Sequence, residues 1–191
     1  MDKIKELMVA ECDYKLPDEI MDRFLAGGSE VKLDTGDILV HAGQYAPDIY
    51  IVKSGIIRHV FMDGSYEKTA TFALPPTMFI EFHSFYARRP SFYQVEACCP
   101  SVVLKIPAAH YRYMIESSHE FARWVTSMYH NQFYYYELKN YVINGNAKER
   151  FNSLVNNRPE IIRNVSLKII ASYLGITQQY LSKLRKEANL I

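Results

Sequence analysis

VSLKIIASYLGITQQYLSKLRKEANL, residues 165–190, is the stretch whose reading decides the fold. Leu167, Ile170, Ala171 and Leu174 recur at helical spacing, and Ser166 stands before them as an N-cap. Gly175 supplies the backbone freedom of a sharp turn. Thr177 is a second N-cap, and the helix it opens places Leu181 and Leu184 on one side. Two short helices about a tight turn, with small Ala171 where they approach, predict a helix-turn-helix. Gln178, Gln179, Ser182, Lys183 and Lys186 remain outside, all donors suited to an acceptor-rich major groove. The competing reading is a helical hairpin that only caps a domain. A DNA reader is preferred, because the polar set lies largely outside the Leu181–Leu184 face.

Charge divides along the chain in the same sense. Residues 146–191 hold eight Lys/Arg against three Asp/Glu, whereas residues 1–145 hold fourteen against eighteen. A basic tail on a mildly acidic body suits a phosphate-binding module joined to a module that does not bind DNA. The three cysteines, Cys12, Cys98 and Cys99, form no disulfide framework and predict a reducing compartment. The N-terminal stretch has no signal-peptide core, and no run approaches the roughly 18 apolar residues of a membrane span. A cytoplasmic protein without membrane partners is expected.

Upstream, residues 3–11 and 17–26 read as short helices, the second opened by Pro17 and closed by Gly27-Gly28. From Ser29 to Ile106 the pattern is that of strands punctuated by glycine. SEVKL, ILV, IYIV, IIRHVFM, YEKTATFAL, FYQVEAC and SVVLKI are the candidate strands, with a hairpin signal at Asp63-Gly64. Short strands at about ten-residue spacing predict a sandwich or roll rather than a parallel sheet. The fold class is therefore α+β, with a jelly-roll-like β-roll at its N-terminal end.

A long helical region follows over about 108–144. With Phe121 at position a of a heptad, the a/d series runs Phe121, Trp124, Met128, Asn131, Tyr135, Leu138, Val142. A helix of about 30 residues spans some 45 Å, more than a small roll covers, so part of this seam is expected to meet a second copy. Asn131 would fix its register. Asn144-Gly145-Asn146 is the hinge candidate, and Ala147–Val155 the next helix. Two domains result: 1–144, a sensor with its dimerisation helix, and 145–191, a helix-turn-helix domain.

This order of parts resembles the Crp/Fnr family of bacterial transcription regulators, most specifically in GDILVHAG…DIYIVKSG and IIASYLGITQQYLSKLRK. The resemblance implies a cyclic-nucleotide-binding-like sensor, a homodimer through the long helices, and a second motif helix in the major groove. It implies double-stranded DNA and RNA polymerase as partners and no enzymatic activity. By register after the turn glycine, the family's base-contacting positions fall on Gln178, Gln179 and Lys183. Members that bind cyclic AMP hold its ribose and phosphate with a Glu, an Arg and backbone amides; here that stretch reads MFIEFHSFYARRPSFYQVEA. Glu81 keeps the ribose position, Ile80 and His83 replace neighbouring glycines, and Ser91 falls where the phosphate Arg is expected. Arg88 and Arg89 lie two or three residues early. Without its guanidinium a phosphate loses its strongest charge-assisted bonds, so an effector other than cyclic AMP, or none, is expected. Many members continue into a β-wing; this sequence stops at Ile191, so affinity is expected to lean on the helix and the dimer.

The remaining polar residues sort by chemistry. Gln178 and Gln179 suit adenine, Lys183 guanine or phosphate, and Thr177, Tyr180, Ser182 and Lys186 the backbone. None of the six histidines has a partner at metal spacing, so neither metal nor cofactor is expected. His83 beside Glu81 lacks a nucleophile and an orienting third group, so no catalytic role follows. Cys98 or Cys99 could sense oxidation if Arg88 or Arg89 stabilised a thiolate, though one of the two is more simply core. The leading expectation is a homodimeric DNA-binding regulator on a two-fold symmetric site. The alternative is a small-anion or protein-binding sensor whose helix-turn-helix is only a packing element.

Overall fold

The computed structural model describes residues 3–10, 12–63, 66–143 and 145–189; at 3, 9, 10, 62, 63, 66 and 139–143 only the backbone is described. Two helices, α1 (Lys3–Ala10) and α2 (Asp18–Ala26), precede a two-sheet roll. One sheet has the order β1 (Ser29–Leu33), β8 (Ser101–Ile106), β3 (Ile49–Ser54), β6 (Met78–Ile80). The other runs β2 (Ile38–Val40), β7 (Gln94–Ala97), β4 (Ile57–Asp63), β5 (Tyr66–Ala73). All pairings are antiparallel. The sequence reading placed the other strands but not β6, which is only three residues long. Gly64 of the hairpin signal lies outside the described residues.

Alternation along the strands builds layers. Tyr50, Val52 and Val103 of the first sheet share an inner core with Val40, Ile57, Ala73, Val95 and Ala97 of the second. The opposite faces of β3 and β8 carry Ile49, Ile51, Leu104 and Ile106 into a second core with Met21, Phe24, Tyr111, Phe121 and Trp124. That is why IYIV is a continuous apolar run: β3 is buried on both faces. The outer side of the second sheet contributes Ile56, Leu74 and Cys98 to a third core, shared with the C-terminal helices. The roll thus lies between helices on one side and the helix-turn-helix module on the other.

The expected helical region at 108–144 is two helices, α4 (Ala108–Ser117) and α5 (His119–Ile143). Ser118 separates them in extended conformation, and its Oγ accepts the Phe121 N–H at 3.2 Å, capping α5. At 25 residues α5 is about 37 Å long. Beyond it come α6 (Ala147–Asn157), α7 (Pro159–Asn164), α8 (Leu167–Leu174) and α9 (Gln178–Glu187). Asn146 and Glu149 close a reciprocal capping box on α6. The sequence reading ran from α6 directly into the helix-turn-helix, although Pro159 at the first helical position already marked α7.

Candidate nucleic-acid interface and sensor pocket

Local chemistry fixes the helix-turn-helix. Ser166 Oγ accepts from Ile169 N–H and Thr177 Oγ1 from Tyr180 N–H at 3.2 Å, so both N-caps are occupied. Gly175 takes φ 64° between the helices, the left-handed region where a side chain would be strained. Arg150 of α6 ties the turn down, its Nε donating to the Leu174 carbonyl at 3.2 Å. Leu181 and Leu184 are buried with Phe151, Leu154, Ile170, Ala171 and Leu174. Gln178, Gln179, Lys183 and Lys186 are exposed, and Tyr180 and Thr177 are also at the surface. Gln179, Lys183 and Lys186, at i, i+4 and i+7, line the side of α9 away from the buried leucines. Ser182 is half-buried, at the edge of that set.

In the roll, Glu81 is 4% exposed and stands at the N-cap of α3 (Phe82–Phe85). Its Oε2 accepts from Ser91 Oγ at 2.5 Å, and its Oε1 lies 3.1 Å from Nε2 of His59. His59 packs edge-on against Phe79 and Tyr93, with Phe79 stacked on Tyr50. The structure therefore brings Glu81 and Ser91 together and adds His59. The sequence reading missed it because β4 lies more than twenty residues upstream and only sheet register carries it there.

The other pocket candidates sit elsewhere. His83 stacks on Phe92 with centroids 3.8 Å apart, and its Nδ1 meets the Pro90 carbonyl at 2.6 Å. Arg88, at φ 54°, and Arg89 are exposed, and no bond joins either to Glu81. Both oxygens of Glu81 are thus engaged by the chain's own side chains, and among the described residues no guanidinium is bonded to them. The residues present do not fit the hold on a cyclic phosphate that the resemblance describes.

On the opposite side of β4, Arg58 pairs with Glu96 of β7, its Nε donating at 2.6 Å, and also reaches Thr69 and Glu67 of β5. Cys98, two residues beyond Glu96, is buried against the C-terminal helices, and burial pushes its thiol up to about 12. Burial favours the neutral thiol, and the guanidinium that acts on it is that of Arg58 rather than Arg88 or Arg89.

The long-helix series also needs correction. Phe121 and Trp124 are 0% exposed and Met128 5%, all within the chain's own core against the roll. They are not available to a second copy. Asn131 is half-buried, while Tyr135 and Leu138 are 57% and 42% exposed; the Val142 side chain lies outside the described residues. A heptad register finds an apolar face, but here the roll covers its first half. Phe133, Tyr134 and Tyr136 add to the exposed aromatic end of α5.

Residues 30–118 match the cyclic nucleotide-binding domain family. No curated protein matches the chain. FixK2 from Bradyrhizobium japonicum is 16% identical over 85% of each chain, with a TM-score of 0.71. The c-di-GMP responsive global regulator CLP of Xanthomonas campestris is 12% identical over 91% of this chain and 92% of that one, with a TM-score of 0.68. The catabolite activator protein of Thermus thermophilus is 16% identical over 90% and 83%, with a TM-score of 0.56. Among the described residues no helix is long and apolar enough to cross a membrane. Residues 30–118 are thus similar to the cyclic nucleotide-binding domain, and from roll to helix-turn-helix the chain has the fold of the solved Crp/Fnr-type regulators.

Proposed function

We propose that the protein is a cytoplasmic transcription regulator of the Crp/Fnr type, binding a two-fold symmetric DNA site as a homodimer. The observation that carries this reading is α9. Its leucines are buried in the module, while Gln178, Gln179, Lys183 and Lys186 stand exposed with donors and charge. Amides and ammonium groups on the first turns of such a helix match base-edge acceptors and phosphates. The exposed end of α5, from Phe133 to Leu138, is the surface for the second copy. RNA polymerase is the further partner at a promoter. The effector, where there is one, is not a cyclic nucleotide, because Ser91 and His59 already use both oxygens of Glu81.

The test is binding to random duplex DNA as a function of salt, followed by selection of bound sequences. Phosphate neutralisation gives a log–log slope of about −0.9 per contact, so a steep slope and a palindromic selected site are expected. Binding independent of salt, or no enriched sequence, would leave the helix-turn-helix a packing element.

A further inference from the structure

Among the described residues β5 is the edge strand of its sheet. Ser172 of α8 takes the place of a further strand at one point. Its Oγ accepts the Thr69 N–H at 3.0 Å and donates to the Glu67 carbonyl at 2.9 Å. Bonding the carbonyl of one residue and the amide two residues on is how a residue in a parallel neighbouring strand pairs; here a single hydroxyl does both. Tyr173 packs beside it on Phe72 with ring centroids 4.9 Å apart. From within the sheet, Arg58 holds the side chains of the same two β5 residues, Thr69 at 3.1 Å and Glu67 at 3.2 Å. The next residue of β4 is His59, which faces Glu81.

We propose that Ser172 is a positioning residue for DNA reading: its hydroxyl fastens α8 to the β5 edge and thereby sets the angle of α9 to the roll. Because the rolls carry the dimer helices, that angle fixes the separation of the two reading helices. The proposal rests on the dimeric DNA-binding reading above. The two hydrogen bonds are directional, whereas the apolar packing of α8 beside them, through Ile170 and Ala171 with Ile56 and Leu74, holds the module without fixing its angle as narrowly.

The experiment compares the full-length protein with Ser172→Ala and Ser172→Thr. Alanine favours helix, so Ser172→Ala keeps α8, and the Thr69 amide it leaves without a partner lowers the melting temperature only modestly. Amide exchange at Thr69 should accelerate in Ser172→Ala and stay slow in Ser172→Thr, which keeps the hydroxyl. Affinity for an isolated half-site should not change. The preference for the selected site over the same half-sites moved apart by two base pairs should fall about tenfold or more, because simultaneous engagement depends on geometry. Unchanged Thr69 exchange, or an unchanged spacing preference, overturns the positioning role. So does a parallel loss at half-site and full site, which would mark a merely structural residue. Should the unchanged protein bind no DNA, the functional reading fails and the spacing claim with it, while Thr69 exchange still decides the fastening.

Discussion

Ser91 Oγ donates to Oε2 of Glu81 at 2.5 Å, closing the buried end of the roll on itself. With His59 on the other carboxylate oxygen, both oxygens of Glu81 are engaged by side chains of the chain itself. A ribose hydroxyl would have to displace one of two internal contacts, and among the described residues no arginine bonds Glu81 to receive a phosphate beside it. Millimolar cyclic AMP or cyclic GMP should therefore leave the melting temperature unchanged. Binding at a hundred times the dissociation constant would add about 2.7 kcal/mol and be plainly visible.

The same contact carries a stability expectation. Ser91→Ala removes the donor to a carboxylate that is 4% exposed, along with the Oγ that accepts the Tyr93 N–H at 3.1 Å. Leaving such buried groups short of partners costs about 1–3 kcal/mol. Urea denaturation of the variant should show its midpoint lowered at unchanged slope; an unchanged midpoint would mean that water replaces the hydroxyl.

Two parts of α5 should respond oppositely to mutation. Trp124→Ala empties a site buried against Phe24 and Phe121, and should destabilise the fold by about 3–5 kcal/mol. Tyr135→Glu with Leu138→Glu places charges on the exposed end, and should leave a folded monomer. Sedimentation with circular dichroism separates the two effects. A double variant that remains dimeric removes this end of α5 from the interface.

Alkaline pH should weaken the fold through Cys98. Burial raises its folded-state value from 9.0 to about 12, so the unfolded chain loses the proton first. Its contribution is complete below about pH 9 and is lost as pH rises towards 12. Tyr50 is likewise raised by burial, and Cys98→Ala should make the decline shallower without abolishing it. Equal slopes for both proteins would falsify the assignment to this thiol.

On α9, reading and holding should separate. Gln178→Ala or Gln179→Ala should cost roughly 1–3 kcal/mol per half-site and relax preference at one symmetric base position. Lys186→Ala should weaken all sequences alike and reduce the salt slope by about one per subunit. Titrations against single-base variants at several salt concentrations measure both. If both Gln variants keep the original base preference, the first turn of α9 is not the reader.

The sequence by itself determined the elements whose causes are local. Ser166, Gly175 and Thr177 bound α8 and α9 because caps and turns are contacts within four residues, and Leu181 and Leu184 mark the buried side by spacing alone. The glycine-punctuated strands were legible for the same reason, and Glu81 with Ser91 was locatable by resemblance. Tertiary structure alone decided what each apolar face meets. The series Phe121, Trp124, Met128 has the period of a seam, yet a period does not name its partner, and here the chain's own roll and N-terminal helices fill that place. His59 reaches Glu81, Arg58 reaches Glu96, and Ser172 reaches the β5 edge across 22, 38 and about a hundred residues. These contacts depend on sheet register and on where α8 lands, which are fixed when separated segments pack together and leave no periodic trace in the chain.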